Sequence, residues 1–493
     1  MFPLRKQQWM GARKGTSGNK AGGKSGVLKD HVRCMTDDEW WRVGRMLNML
    51  YALTAGDPVK AWILTLMHNL PKDEGEVKIE RLRPIQLLEV LLNFYYGAGV
   101  KGALFRPEGR ERINPMQKGF IAGRCLDNCA LVMLGMFEQV RVTRIGRCGM
   151  NDSDIAGAFD GLTQAQKSMA LQSAGVDGAQ AERLARDESD RRAVVITAYG
   201  TTVDVLGKRN GRVRQARGGA QGAQHMPIAW DVAHNPLIES QCANDISGKP
   251  FMLTDENGDG YRLNGTALAD DAHFASGDEE NQNQRLMRES DYYTLMAMQI
   301  QAYKCWIAVL VAAGHYSWRD FKNEAGARVP NRVDPSREDV VIRYTAIDEA
   351  LRLNGIFFTV TQQRAVHWHL LYKQIWPMVR RWATGCSKAL IVIGIVDMIA
   401  KAKVVFAMRH SLDGMVAVDA LEHQAWLAVY TLMHVHRNMP RSWRWTPQTM
   451  GGLGWSRWWD VVNTRKVVML LGFLQGDLPD ERVSAEAMVF REQ

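Results

Sequence analysis

The chain has 493 residues, 46% of them hydrophobic, which is enough to bury a core in two or three structural units and excludes a fibrous or wholly disordered protein. Its formal net charge of +9 favours an anionic partner, with nucleic acid the leading candidate. The seven cysteines lack any CxxC pair or zinc spacing, which argues against a disulfide framework or zinc knuckle and for a reducing compartment.

Residues 1–35 are rich in Gly, Lys, Arg and Ser, with Asp30 the first acid, a composition expected of a basic disordered tail. Such a tail serves as an arm on RNA or DNA phosphates, as a nuclear-import patch, or simply as a solvated start. No apolar segment of a secretory signal follows Met1. Order is expected from Thr36, where Thr36-Asp37-Asp38-Glu39 forms a capping box before Trp40, Val43, Leu47 and Leu50 at helical spacing. After Gly56-Asp57-Pro58 the chain reads as short strands mixed with helices up to residue 360. Within it, Val194-Val195-Ile196 and Thr202 to Leu206, followed by the turn Gly207 to Gly211 and Arg212-Val213-Arg214, predict a basic hairpin.

From Thr361 the period becomes helical, with Leu371, Ile375, Val379 and Trp382 in one apolar stripe and Lys373, Arg380 and Arg381 off it. The longest apolar run, Ala389 to Val396, is far short of the roughly 20 residues that span a bilayer and is bracketed by Lys388 and Asp397. A buried helix and no membrane association are expected. Trp443, Trp445, Trp455, Trp458 and Trp459, interleaved with Arg441, Arg444 and Arg457, read as packing or as stacking platforms for unpaired bases.

Chemistry concentrates at Leu268-Ala269-Asp270-Asp271, which follows the strand-forming Tyr261-Arg262-Leu263 and Thr266-Ala267 and precedes His273-Phe274-Ala275. Adjacent carboxylates at a hairpin turn repel, and a divalent cation with a preference for oxygen ligands relieves the repulsion. Alone, such a pair is an ordinary solvated turn. A further acid, Asp154 in Asp154-Ile155-Ala156-Gly157-Ala158-Phe159-Asp160, can complete a site. Two-metal phosphoryl transfer needs cations roughly 3.5–4 Å apart, bridged by carboxylates from neighbouring strands.

These segments resemble the reverse transcriptases of non-LTR (LINE-type) retrotransposons. Asp154 to Asp160 is similar to the family's Asp-x-x-x-Ala-Phe-Asp motif and Leu268 to Asp271 to its Tyr-Ala-Asp-Asp box. Between them, Arg217-Gly218-Gly219-Ala220-Gln221-Gly222 with Pro227 resembles Arg-Gly-x-x-Gln-Gly…Pro. Pro71-Lys72 with Leu82 to Leu88 resembles the fingers block, and Gln117 to Arg124 with Asp127-Asn128 resembles Gln-x-Gly-Phe-x-x-Gly-Arg…Asp-Asn. Tyr303-Lys304-Cys305, Asn354-Gly355 and Gly451-Gly452-Leu453-Gly454 resemble the Lys-Cys, primer-grip and post-thumb motifs, so the likeness covers residues 62 to 460.

The resemblance implies an α+β right-hand polymerase with a ferredoxin-like palm: tail 1–35, fingers 36–149, palm 150–360, helical thumb 361–440 and a Trp/Arg-rich, helical C-terminal extension 441–493. It implies an RNA-directed DNA polymerase in which Asp154, Asp270 and Asp271 hold two Mg²⁺ ions, with Mn²⁺ as an alternative. Phe159 would be the steric gate against a ribose 2′-OH. Gln221 and Gly222 would pack under the nucleotide, Lys72 and Arg83 would meet the triphosphate, and Lys304 would protonate pyrophosphate or contact it. Asn354 and Gly355 would grip the primer. The implied partners are an RNA template, a DNA primer or target DNA, and dNTPs, in an intracellular ribonucleoprotein, nuclear or cytoplasmic. An RNA-dependent RNA polymerase of the same fold and an inactive, maturase-like RNA-binding protein stay open as alternatives.

The chain departs from the pattern at Leu268, which stands where an aromatic is usual, and at Gln86, which replaces a serine. Gln224-His225-Met226 replaces small polar residues before Pro227, and Met150-Asn151-Asp152-Ser153 is polar for a central strand.

Overall fold

The computed structural model describes residues 4–14, 27–53, 64–71, 82–104, 112–143, 147–197, 200–201, 208–209, 212–213, 218–220, 222–254, 258–311, 326–331, 333–334, 338–345, 349, 351–353, 356–358, 373, 375–381, 396–408, 415–433, 438–440, 442–450, 453, 455–475 and 484–485. The first elements are α1 (Lys6–Lys14), α2 (Lys29–Cys34) and α3 (Asp37–Leu53). At the start of α3 the Glu39 amide donates to Thr36 Oγ1 (3.3 Å) and the Thr36 amide to Glu39 Oε2 (2.7 Å), the expected capping box.

The expected disordered tail is folded at residues 4–14 and 27–35. Trp9 stacks on Trp40 with ring centroids 4.2 Å apart, and each indole N–H donates to the other residue's carbonyl. Asn48 accepts from the Leu4 amide and donates to its carbonyl. Burying Leu4 and Trp9 recovers the apolar free energy that the surrounding Lys, Arg and Gly cannot supply.

Next come β1 (Leu64–Pro71), β2 (Leu82–Leu87), α4 (Val90–Leu104), α5 (Leu126–Thr143), β3 (Arg147–Ser153), α6 (Ala158–Gly161), α7 (Gln164–Ser173) and α8 (Gly178–Ser189). They are followed by β4 (Arg192–Thr197), β5 (Gly200–Thr201), β6 (Lys208–Arg209), β7 (Arg212–Val213), α9 (Met226–Cys242), β8 (Phe251–Thr254), β9 (Gly260–Leu263), β10 (Gly265–Leu268), β11 (Asp271–Ser276), α10 (Glu279–Leu295) and β12 (Trp306–Val311). Strands β13 (Ala327–Val329), β14 (Val340–Tyr344), β15 (Leu351–Leu353) and β16 (Ile356–Phe358) complete the α/β part.

Two sheets organise it. One has the order β2-β1-β4-β5, with β1 antiparallel to β2 and parallel to β4. The run Val194-Val195-Ile196 therefore pairs with residues 66–68, and β4 also pairs antiparallel with β5. The short ribbon β6–β7 falls at the expected Gly207 to Gly211 turn, while residues 202–206 of the expected hairpin lie outside the described residues. This sheet also crosses the boundary expected at 149/150, because an extended segment pairs wherever a free edge meets it, irrespective of sequence distance.

The larger sheet has the order β10-β11-β3-β12-β14-β13. Its first four strands are antiparallel and follow in the chain as β3, then β10 and β11 after an insertion of helices and the strands β4 to β9, then α10 and β12, the strand order of a split βαβ, ferredoxin-like unit. Alternation divides its side chains between two cores. Ala272, Phe274 and Ile307 join α9 and α10, while Met150, Ala275 and Ala308 join Val132, Met136 and Phe137 of α5.

The C-terminal part is helical: residues 375–381, a π-helical turn Val396–Ala400, α11 (Lys401–Met408), α12 (Met415–Leu432), α13 (Ser442–Trp445) and α14 (Trp458–Leu474). Ile375 and Val379 of the predicted stripe are buried in one core with Trp426, Trp458 and Val462, so the boundary expected at 440/441 falls inside a single packing unit. The tryptophans supply that packing: Trp443, Trp455 and Trp459 lie against the core, and Trp445 Nε1 donates to Glu422. Among the described residues, no helix is long and apolar enough to cross a membrane.

Candidate active site

Strand β3 ends at Ser153, and Asp154 follows it. In the antiparallel pairing with β11, Ser153 stands opposite Ala272 and Asp152 opposite His273; the ladder ends there, and Asp154 follows close enough to Asp271 to bear on its charge. Asp270 lies in the two-residue turn between β10 and β11, closed by the pair Leu268 and Asp271. Ala269 in that turn has φ of +60°, a left-handed conformation that costs an L-residue roughly 1–2 kcal/mol.

A buried glutamine holds the strained residue. Gln117 Oε1 accepts from the Ala269 amide (2.9 Å) and Gln117 Nε2 donates to the Ala269 carbonyl (3.1 Å). Gly119 packs so closely that a Cβ there would lie 2.4 Å from the Ala269 nitrogen, which explains a glycine at this position. Arg124 Nη1 donates to the carbonyls of Asn114 and Gln117, fixing the segment from behind.

The carboxylates crowd one another. Desolvation first, and then the charge of Asp270, push the Asp271 pKa up to about 6, with Asp152 and Asp154 adding to the rise. Lys304 meets this charge: its Nζ lies 3.2 and 3.3 Å from the two Asp154 oxygens. The Asp154 amide donates to Cys305 Sγ at 3.2 Å, which ties the aspartate to the start of β12. His273 Nδ1 lies 3.1 Å from Asp152 across the strands.

The polar run in β3 is satisfied from α10. Asn151 Nδ2 donates to the buried Glu289 (2.6 Å) and Asn151 Oδ1 accepts from Gln282 Nε2 (2.8 Å), while the Ser153 hydroxyl donates to the other Glu289 oxygen. Burial pushes the Glu289 pKa up to about 7. Asp231 of α9 is fully buried, with no hydrogen-bond partner for either carboxylate oxygen among the described residues. Burial holds its pKa well above the carboxylate range, Arg124 works against the shift, and Asp270 adds to it.

Beside the aspartates, Gly157 at φ of +61° turns the chain from β3 into α6, which carries Phe159. The Phe159 ring packs on Trp230 (centroids 5.6 Å apart) and edge-on to Phe120 (6.4 Å). The glycine loop lies on the same turn, with the Gly219 amide donating to the Phe159 carbonyl and the Gly218 amide to Leu162. A Cβ at Gly218 would meet the Asp160 Cα at 2.7 Å, and one at Gly222 would meet the Gln86 carbonyl oxygen at 2.8 Å.

Asp154, Asp270, Asp271, Lys304, Phe159 and Gly222 of the expected site residues are thus described, the first four in one electrostatic cluster. Lys72, Gln221, Asn354 and Gly355 lie outside the described residues, and Arg83 is described as backbone of β2 only. Gln117, Gly119 and Arg124 were visible as motif residues without a role. Asp231 and Glu289 carried no signal, because helical acids are ordinarily solvated.

Among the described residues, no three His, Cys, Asp or Glu side chains converge as a ready-made metal cage. The donor chemistry nevertheless suits Mg²⁺, which is commonly held by one or two carboxylates with water and substrate phosphates completing the shell. After desolvation, the charges of Asp270, Asp152 and Asp154 add to the rise at Asp271, and that repulsion is what a divalent cation relieves.

No family model matches the chain, and no curated protein matches it in sequence. Solved structures similar to it include an apo telomerase from Candida tropicalis truncated from the C-terminal domain, at 9% identity and a TM-score of 0.34, covering 52% of each chain. Another is telomerase from Candida albicans in complex with a fragment of telomeric RNA, at 10% identity and a TM-score of 0.36 over 85% of this chain. The chain spans 52% and 64% of the length of those telomerases. The mixed α/β architecture itself rests on the strand pairing described above.

Proposed function

We propose that the chain is an RNA-directed DNA polymerase of the non-LTR retrotransposon type, a right hand whose palm is the β10-β11-β3-β12 sheet and whose thumb lies in the C-terminal helices. The observation that supports this reading is the antiparallel pairing of β3 with β11, which ends at Ser153 and Ala272 with Asp154 and Asp271 as the next residues, and with Phe159 on the helix that follows. The reaction is attack of a primer 3′-OH on the α-phosphate of a dNTP, with pyrophosphate leaving.

Asp154, Asp270 and Asp271 would hold Mg²⁺, with Mn²⁺ as an alternative; bound there, the ions would activate the 3′-OH and neutralise charge on the leaving group. Lys304, paired with Asp154, stands ready to donate a proton or a charge-assisted hydrogen bond to pyrophosphate. Phe159, braced by Trp230 and Phe120, would present its ring to the sugar. Gly222 gives the backbone close approach to a base pair, and Gln221 belongs to the same loop. Lys72 and Arg83 are assigned to the triphosphate and Asn354-Gly355 to the primer. RNA template and DNA primer or target are the partners, bound mainly through phosphates.

Primer extension on a primed RNA template with Mg²⁺ tests the reading. Incorporation of dNTPs in preference to rNTPs is expected. Preference for rNTPs would make the chain an RNA polymerase, and RNA binding without extension would make it a scaffold.

A further inference from the structure

The loop 218–222 is held by groups that belong to none of its motifs. Lys167 of α7, 1% exposed, donates from Nζ to the Gly218 carbonyl (2.7 Å) and to Ser189 Oγ (3.3 Å). Glu188 of α8, 4% exposed, accepts from the Ala220 amide at Oε2 (3.0 Å). Its other oxygen meets Arg191 and lies 3.1 Å from His225 Nε2. The opposite edge of the loop is bonded to α6 through the Gly218 and Gly219 amides. Three successive peptide units are therefore fixed on two sides, one side being the turn that carries Phe159.

Buried charges are expensive to desolvate and persist where each finds a partner; Glu188 has Arg191 on one oxygen, and its other oxygen and the Lys167 ammonium take backbone atoms of the loop. A merely structural Lys–Glu pair would satisfy itself. Each of these two instead also commits a hydrogen bond to the loop, Lys167 to the Gly218 carbonyl and Glu188 to the Ala220 amide.

We propose that Lys167 and Glu188 are positioning residues that clamp the Gly218 to Ala220 segment against α6 and so set the depth of the nucleotide pocket between that segment and Phe159. The inference rests on the polymerase reading for its functional consequence, while the clamp itself is a property of the fold.

The test uses the full chain with Lys167→Met and Glu188→Gln, with Ser189→Ala as a milder variant. Leu184→Ala serves as the control, since it loosens the same buried helix without removing a hydrogen bond to the loop. Two readouts are taken: steady-state primer extension against dNTP concentration, and hydrogen exchange of the Gly218 to Ala220 amides. Lys167→Met and Glu188→Gln are expected to raise the dNTP KM about tenfold or more with a smaller effect on kcat, to speed loop exchange about tenfold, and to leave primer-template affinity unchanged. Ser189→Ala should move both readouts in the same direction by a few-fold and Leu184→Ala neither. Unchanged loop exchange in the folded variants overturns the clamp. Faster exchange with unchanged KM, or an equal KM rise in Leu184→Ala, overturns its positioning role. Should the wild type extend no primer, the polymerase reading fails, and the exchange data still decide whether the clamp exists.

Discussion

Replacing Glu289 by Gln should change the pH dependence of stability in a definite direction. Glu289 is 0% exposed, accepts hydrogen bonds from Asn151 and Ser153, and has its pKa raised by burial from an ordinary value near 4.5 to about 7. The unfolded chain therefore releases this proton at lower pH than the folded one, and the native state binds more protons between pH 4.5 and 7. Stability from this group is complete below the unfolded value and is lost as pH rises through the folded one. With roughly 1.4 kcal/mol per pKa unit, and part of the unfolded population already ionised at pH 5, the loss between pH 5 and pH 8 is on the order of 2–3 kcal/mol. Glu289→Gln is neutral in both states and keeps the side-chain shape. Urea unfolding at the two pH values should show the variant gaining that amount relative to wild type as pH rises. A wild-type-minus-variant difference independent of pH would refute the reasoning, because the carboxyl would then be titrating normally.

Gly119→Ala puts a Cβ 2.4 Å from the Ala269 nitrogen, so the aspartate turn must shift; primer extension should fall roughly a hundredfold while RNA affinity in filter binding stays the same. Phe159→Val removes the ring assigned to the steric gate under the proposed function, and discrimination for dNTPs over rNTPs in single-nucleotide incorporation should fall by roughly tenfold or more. Trp9→Ala empties the Trp40 stack, and exchange protection of α1 and α3 should weaken by about 3–5 kcal/mol, a change a disordered tail would not show.

What sequence could and could not convey divides along interaction range. The Thr36–Glu39 box, the β10–β11 turn around Asp270-Asp271 and the Ile375–Val379 stripe are local patterns, and each is found as expected. The parallel pairing of β1 with β4 joins segments more than a hundred residues apart, and no periodicity encodes it. Trp9 was hidden because a single large side chain outweighs the polar composition around it. The polarity of Asn151-Asp152-Ser153 stood out as a departure, and its explanation sits on another element: Glu289 and Gln282 of α10 satisfy Asn151 and Ser153. Lys167 and Glu188 look like surface charges in their own helices and acquire a role only through the loop folded onto them.

The most direct measurement is Mg²⁺-dependent extension of a primer on an RNA template by the wild type and by Asp270→Ala/Asp271→Ala. Extension with dNTPs by the wild type, abolished in the double variant while RNA binding persists, is the predicted result. Undiminished extension by the double variant would contradict the assignment of the β10–β11 turn as the catalytic centre.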